Sequence, residues 1–126
     1  MKLKRISPVL FVDAVEPCLP FWEALGFTRT VEVPDNLGKL GFVILARDGL
    51  EVMYQSRNSA KTDVPAMAEG AWRSALYLEV DDLDAFAKQV KGAPAVFARR
   101  KTFYGAEELG VKDPAGNVVT FAQQAP

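Results

Sequence analysis

The segment Ala75-Leu76-Tyr77-Leu78-Glu79-Val80-Asp81 alternates between apolar and mixed side chains and ends at an acidic residue. Such alternation predicts a half-buried β-strand, because successive side chains of a strand point to opposite faces of its sheet. Leu76, Leu78 and Val80 form the face that we expect to pack on a helix. Tyr77 and Glu79 lie on the opposite face, which the helix of this segment leaves uncovered. The sequence therefore predicts a sheet with one face open for binding.

The order of elements that begins with this strand occurs twice in the chain. An apolar run over residues 6–12 ends at Asp13, and both runs are followed by an amphipathic helix and three further strands. Asp48-Gly49 and the segment 113–117 (Asp-Pro-Ala-Gly-Asn) are typical of hairpin turns. The predicted elements are a helix over residues 16–25 with strands over 27–33, 40–46 and 50–55, then a helix over 83–90 with strands over 95–99, 107–112 and 118–123. The sequence thus predicts the α+β class, with two βαβββ modules that form an open, curved, mixed sheet.

We expect the two modules to make up a single domain of 126 residues. Module one spans about residues 1–56 and module two about residues 73–126, with a linker over about residues 57–72. The linker segment is polar, contains Pro65 and shows no clear hydrophobic period, as is typical of a connecting loop. A chain of this length is able to bury a hydrophobic core.

The composition excludes several kinds of chemistry. The chain has no histidine, so a Ser-His-Asp triad, a Cys-His pair and histidine-based metal sites are all excluded. The formal net charge of −1 argues against a nucleic-acid partner, and we interpret the basic runs 2–5 and 99–101 as solvated strand ends. One cysteine, with no stretch resembling a signal peptide or membrane span, leads us to expect a cytoplasmic protein without a membrane partner. These observations favour a binding protein over an enzyme.

Two parts of the sequence resemble the signatures of a known superfamily. Residues 8–13 (Pro-Val-Leu-Phe-Val-Asp) with residues 21–27 (Phe-Trp-Glu-Ala-Leu-Gly-Phe) are similar to the opening of a vicinal-oxygen-chelate domain. Tyr104-Gly105 and residues 112–119 (Lys-Asp-Pro-Ala-Gly-Asn-Val-Val) resemble its second signature. That superfamily includes glyoxalase I, bleomycin and fosfomycin resistance proteins, and extradiol dioxygenases. The resemblance implies paired βαβββ modules and a homodimer with sites in its clefts.

The resemblance also allows the metal ligands of the superfamily's enzymes to be carried over position by position. Three ligand positions fall on Ile6, Ala75 and Thr120, and only the fourth, Glu51, is acidic. Shifting the alignment by one residue brings in Ser7 or Ser74, which does not complete a ligand set. Because a divalent metal normally takes three or four protein ligands, the resemblance implies no metal site and no cofactor here.

The metal-free relatives that this pattern resembles are the bleomycin-type resistance proteins, which sequester a drug in a groove. Such a site needs aromatic and apolar walls with a few polar anchors. A planar or cationic antibiotic would stack on the rings and pair with the carboxylates. The candidate ligand-binding residues are Phe42, Glu51, Met53, Trp72, Tyr77, Glu79, Phe103, Tyr104 and Glu108.

Glu51 has two interpretations that the sequence leaves open. It is either a ligand anchor or general base, or the acidic partner of an Arg or Lys on a neighbouring strand. Three functional hypotheses follow. The first is a metal-independent protein that sequesters a drug or metabolite in a concave cleft. The second is a lyase, isomerase or dioxygenase-like enzyme that uses Glu51 or an atypical metal site. The third is an accessory or regulatory module that binds a metabolite or a protein.

Overall fold

The structure, a computed structural model, describes residues 1–125. The chain divides into two compact units, Met1–Trp72 and Arg73–Pro126, and each unit contains one four-stranded sheet. Both sheets are mixed, with one parallel and two antiparallel strand pairs. The predicted α+β class and the two βαβββ modules are therefore confirmed. None of the helices formed by residues 1–125 could span a lipid bilayer.

The first unit orders its strands β1-β4-β3-β2. Its core lies between this sheet and helix α1, where Trp22 donates its indole N–H to the Tyr54 hydroxyl at 2.7 Å. The Asp48-Gly49 hairpin is confirmed, since both residues have positive φ angles of 54° and 76°. The elements are β1 (Val9–Val12), α1 (Leu19–Ala24) after a 3₁₀ turn (Glu16–Cys18), β2 (Thr28–Pro34), β3 (Leu40–Arg47) and β4 (Leu50–Ser56).

The second unit orders its strands β5-β8-β7-β6. Helix α3 packs on one face, where Phe86 stacks on Phe121 with ring centroids 5.7 Å apart. The Asp82 carboxylate accepts a hydrogen bond from the Ala85 amide and so caps this helix. The elements are β5 (Ala75–Glu79), α3 (Leu83–Gln89), β6 (Ala95–Lys101), β7 (Ala106–Lys112) and β8 (Val118–Gln124).

The segment predicted as an irregular linker contains helix α2 (Arg57–Asp63) and a 3₁₀ turn (Pro65–Ala68). The Ser56 side chain accepts a hydrogen bond from the Ser59 amide and caps the helix at its start. Only Ala60 is buried within the helix. A helix of two turns that buries one small residue leaves no hydrophobic period in the sequence, which is why the pattern did not reveal it.

The first strand is shorter than predicted. It begins at Val9, and Ile6, which the sequence placed inside this strand, is 91 % exposed. Leu10 and Val12 are buried on the α1 side of the sheet. Because side chains alternate along a strand, Val9 and Phe11 lie on the opposite face.

Candidate functional site

The open face of the second sheet carries Tyr77 and Glu108. Strand register places Tyr77 beside Thr120 and Glu108 beside Ala122, so these four side chains share one face of the sheet. Helix α3 lies on the other face, against Phe121. Tyr77 remains 50 % exposed. The predicted open face with a tyrosine on it therefore exists in the second unit.

Glu108 lies at the centre of this face and is only 2 % exposed. Its Oε2 atom accepts hydrogen bonds from the hydroxyls of Tyr77, at 2.9 Å, and Tyr104. Its Oε1 atom accepts from Nη2 and Nε of Arg100, at 3.1 and 3.3 Å. We call Glu108, Tyr77, Tyr104 and Arg100 the Glu108 cluster. Four donors satisfy this buried carboxylate, as a buried charge requires.

A bulge in strand β6 brings Arg100 into the cluster. Phe97 pairs with Gly110 and Arg100 with Glu108, so three steps along β6 match two steps along β7. Both side chains therefore lie on the open face, and the guanidinium carbon of Arg100 sits 3.9 Å from the centre of the Phe97 ring. Gly110 makes room for that ring, because a Cβ atom there would come within 2.4 Å of it.

The hydrogen bonds of the cluster shift the pKa values of two groups in opposite directions. The Tyr104 hydroxyl is the largest cause of a lowered pKa at Glu108, assisted by Tyr77 and Arg100 and opposed by burial. The same bond is the main cause of a raised pKa at Tyr104. Glu108 is therefore ionised at neutral pH, and Tyr104 keeps its proton.

The turn between β6 and β7 presents an exposed aromatic side chain beside the cluster. Phe103 is fully exposed, and its ring meets that of Tyr104 edge to face with centroids 5.1 Å apart. Gly105 adopts a φ of 86°, a left-handed conformation that favours glycine in this tight turn. Phe103 and Tyr104, both predicted from the sequence as candidates, thus lie next to each other at the edge of the open face.

In the first unit, Glu51 shares a sheet face with Phe42 and Met53, both half-buried. Its two carboxylate oxygens accept from Arg5 Nη1 at 3.1 Å and from Ser7 Oγ at 3.0 Å. Glu51 thus pairs with an arginine, as one of its two interpretations predicted, but Arg5 precedes β1 and does not lie on a neighbouring strand. Ile6, the position at which the resemblance placed a metal ligand of the superfamily's enzymes, lies outside the strand. Ser7, which takes that place when the alignment is shifted by one residue, is the residue beside Glu51.

The nine candidate residues divide between the two units. Trp72 is the last residue of the first unit, and its indole N–H donates to the Met67 carbonyl at 3.1 Å. Sequence reasoning missed Arg100, Phe97 and Ser7 as neighbours of the candidate carboxylates. The candidates in the first unit are Phe42, Glu51, Met53 and Trp72, and those in the second unit are Tyr77, Glu79, Phe103, Tyr104 and Glu108.

Two of the three residues in the basic run 99–101 form ion pairs. Arg99 pairs with Asp84 and Glu107 on the α3 side of the second sheet, whereas Arg100 pairs with Glu108 on the open face. A cleft of about 410 Å³ lies on that α3 side, and these paired charges line part of it. Among residues 1–125, no three side chains of His, Cys, Asp or Glu gather into a group able to hold a metal ion.

Two βαβββ units, each built on a four-stranded mixed sheet, define the α+β class of this chain. The family model described as the Glyoxalase/Bleomycin resistance protein/Dioxygenase superfamily matches residues 3–121. The chain belongs to this superfamily. No curated protein matches the sequence significantly.

Solved structures with a similar fold include both binding proteins and enzymes. TioX from Micromonospora sp. ML1 is 18% identical, with a TM-score of 0.79 over 97% of this chain and 99% of that one. A bleomycin-binding protein solved in complex with bleomycin is 21% identical, with a TM-score of 0.69 over 98% and 100%. A lactoylglutathione lyase from Agrobacterium tumefaciens is 16% identical, with a TM-score of 0.73 over 95% and 92%. At these identities the likeness concerns the fold.

Proposed function

We propose that this protein binds a planar aromatic small molecule on the open face of its second unit, without a metal, and sequesters it. The observation that carries the proposal is the Glu108 cluster. Its buried carboxylate fixes the hydroxyl ends of two tyrosines whose rings remain half exposed. Rings held in place before a ligand arrives lose little conformational freedom on binding, which favours affinity.

The aromatic surface supports a flat ligand. Tyr77, Tyr104 and the fully exposed Phe103 belong to one unit, and Phe103 and Tyr104 already contact each other edge to face. Exposed aromatic side chains grouped beside polar groups are typical of ligand sites, because stacking and apolar burial supply the binding energy. A bleomycin-binding protein of the same fold supports the sequestering role.

Two of the three acidic candidates do not favour the cationic ligand that the sequence suggested, whereas Glu79 stays exposed on the open face of the second sheet. The carboxylate of Glu108 is compensated by Arg100, and that of Glu51 by Arg5. Neither acid is therefore an uncompensated negative charge for a cation to meet. Both oxygens of Glu51 also accept hydrogen bonds from within the unit, so no observation favours this residue as a catalytic base.

Thermal stability measured against a panel of compounds tests the proposal. Bleomycin, planar antibiotics and simple naphthalene compounds are added to the purified protein, whose divalent metal content is determined beforehand. A ligand present at about one hundred times its dissociation constant stabilises a fold by about 2.7 kcal/mol, which gives a clear rise in melting temperature. We expect a planar compound to produce that rise, and Tyr77→Ala and Tyr104→Ala each to reduce it.

Leu37→Ala is the matched control, because Leu37 is a large exposed side chain in a turn of the first unit. Its shift with the same compound should equal that of the unchanged protein. A shift that survives both tyrosine substitutions would contradict the proposed site. Stoichiometric divalent metal in the untreated protein would contradict metal-independent binding and favour an enzyme.

Membership of the superfamily supports a second proposal, that the protein is a homodimer. The expected result is a solution mass of twice the chain mass of 13.8 kDa, measured by size-exclusion chromatography with light scattering. The same measurement on a dilution series separates a stable dimer from weak association. A mass of one chain at every concentration would refute the dimer.

A further inference from the structure

We infer that Tyr77 and Tyr104 form a hydrogen-bond-accepting subsite, and that Arg100 beside them donates to an acceptor on the same ligand. The ligand class is therefore a neutral aromatic compound with adjacent donor and acceptor groups, as in an aromatic carboxamide. This inference rests on the proposed function and specifies which polar groups the aromatic ligand carries.

The protons of the two tyrosine hydroxyls are already used in hydrogen bonds to Glu108. Both hydroxyls donate to Oε2 of Glu108, that of Tyr77 at 2.9 Å. A phenol has a single proton to donate and two lone pairs that accept. The remaining polar capacity of each hydroxyl is thus acceptor capacity, and at Tyr104 the Thr102 side chain, which lowers the pKa of Tyr104, already lies beside the oxygen. Gln124 approaches the Tyr77 oxygen at 3.4 Å from an exposed position, a long contact that leaves room for a second donor.

A ligand cannot easily turn these hydroxyls around. To donate to a ligand, either tyrosine would have to leave Oε2 of a carboxylate that is almost fully buried. Hydrogen bonds to an ionised group are about twice as strong as those between neutral groups. The lowered pKa of Glu108 and the raised pKa of Tyr104 have the same origin, because this bond favours ionised Glu108 and protonated Tyr104.

Arg100 supplies the complementary donor. Its Nε and Nη2 atoms donate to Glu108 Oε1, and its guanidinium group lies over the Phe97 ring. These contacts hold the guanidinium in one orientation. Within residues 1–125, no hydrogen bond from its Nη1 atom is present, and half of the side chain is exposed. An acceptor on a ligand can therefore reach Nη1 while the ligand's donor reaches a tyrosine oxygen.

The charge of the cluster selects against ions. Glu108 and Arg100 carry opposite unit charges, so the cluster is neutral as a whole. An ammonium group would donate to the tyrosine oxygens but meet the Arg100 cation, and a carboxylate would accept from Arg100 Nη1 but bring no proton to the two tyrosine oxygens. A site built to hydrogen-bond one group discriminates strongly against an analogue that leaves its polar atoms unpaired. A neutral amide satisfies both sets of partners.

Three naphthalene probes of similar size test this ranking: 2-naphthamide, 2-naphthoate and 2-naphthylmethylammonium. Their dissociation constants are measured by calorimetric titration with the unchanged protein and with Tyr77→Phe, Tyr104→Phe and the double variant. We expect the amide to bind at least about tenfold more tightly than either ion, a margin of about 1.4 kcal/mol. In the double variant the amide should lose this advantage while naphthoate keeps its affinity, because the rings remain.

The outcomes separate this inference from the proposed function. If all three probes bind with similar affinity, or an ion binds most tightly, the accepting subsite is refuted and aromatic binding stands. If none binds, both are refuted. An amide preference that persists in the double variant refutes the role of the tyrosines. The ranking on the unchanged protein does not depend on whether a variant folds.

Discussion

Replacing Trp22 by alanine will lower the free energy of unfolding by about 3–5 kcal/mol, the range for truncating a large buried aromatic residue. Trp22 is only 1 % exposed and bonds the Tyr54 hydroxyl at 2.7 Å. Its ring also contacts Phe21 and Phe27 edge to face, with centroids 5.3 and 5.0 Å away. The substitution therefore opens a cavity and removes one hydrogen bond to the buried Tyr54 hydroxyl. Urea unfolding followed by far-ultraviolet circular dichroism measures the loss.

The second tryptophan of the chain is the matched control. Trp72 is 44 % exposed, and its indole N–H donates to the Met67 carbonyl. Trp72→Ala should therefore cost about 1 kcal/mol or less, as is usual for surface substitutions. Equal losses for the two variants would show that Trp22 is not the centre of the core.

Much of the fold could be predicted from short sequence patterns. Alternation along residues 75–80 correctly assigned Tyr77 and Glu79 to the open face and Leu76 and Leu78 to the helix side. The turn at 113–117 also formed as predicted, because the Asp113 carboxylate accepts from the amides of Ala115 and Asn117. These features depend on local geometry, which the sequence specifies directly.

The central contact of the candidate site could not be predicted in this way. In a regular strand, Phe97 and Arg100 would point to opposite faces, because they are three residues apart. The bulge in β6 adds one residue and turns both toward Glu108 and Gly110. A bulge leaves no periodic pattern in the sequence. For that reason the sequence predicted Glu108 to be an acidic ligand anchor and Arg100 to be a solvated charge, and it did not predict that they pair. Their pairing removes Glu108 as an anchor for a cation and, of the planar or cationic ligands that the sequence suggested, favours a planar neutral one.

The pairing of Glu51 illustrates the same limit in the first unit. Arg5 lies outside any strand, and its contact with Glu51 spans 46 positions of sequence. From the sequence, a salt bridge from Glu51 to an Arg or Lys on a neighbouring strand was one of two interpretations. The sequence did not identify Arg5 as the partner. Long-range contacts to an irregular terminal segment depend on the packed structure and not on the spacing of residue types.

Replacing Glu108 by glutamine will lower the melting temperature at neutral pH by several degrees and reduce the dependence of stability on acid. The pKa of Glu108 is lowered in the folded protein, first by the Tyr104 hydroxyl. Its contribution is therefore fully present above the pKa of an unfolded glutamate, about 4.3, and is lost as pH falls through the lower folded value. The stability difference between the two proteins should be constant near neutral pH and shrink in acid.

Tyr104 makes stability depend on alkaline pH as well, because its pKa is shifted upward, opposite to the pKa of Glu108. Its pKa is raised in the folded protein, mainly by Glu108, so its contribution is present below the ordinary tyrosine value of about 10 and lost as pH rises through the folded value. In Glu108→Gln the phenolate absorbance of Tyr104, isolated by subtracting a Tyr104→Phe spectrum, should appear at lower pH.

Glu79→Gln is the control for Glu108→Gln, because Glu79 is an exposed acid on the same sheet face. A stability difference for Glu108→Gln that stays constant into acid would mean that the buried carboxylate does not hold the two tyrosines in the folded protein.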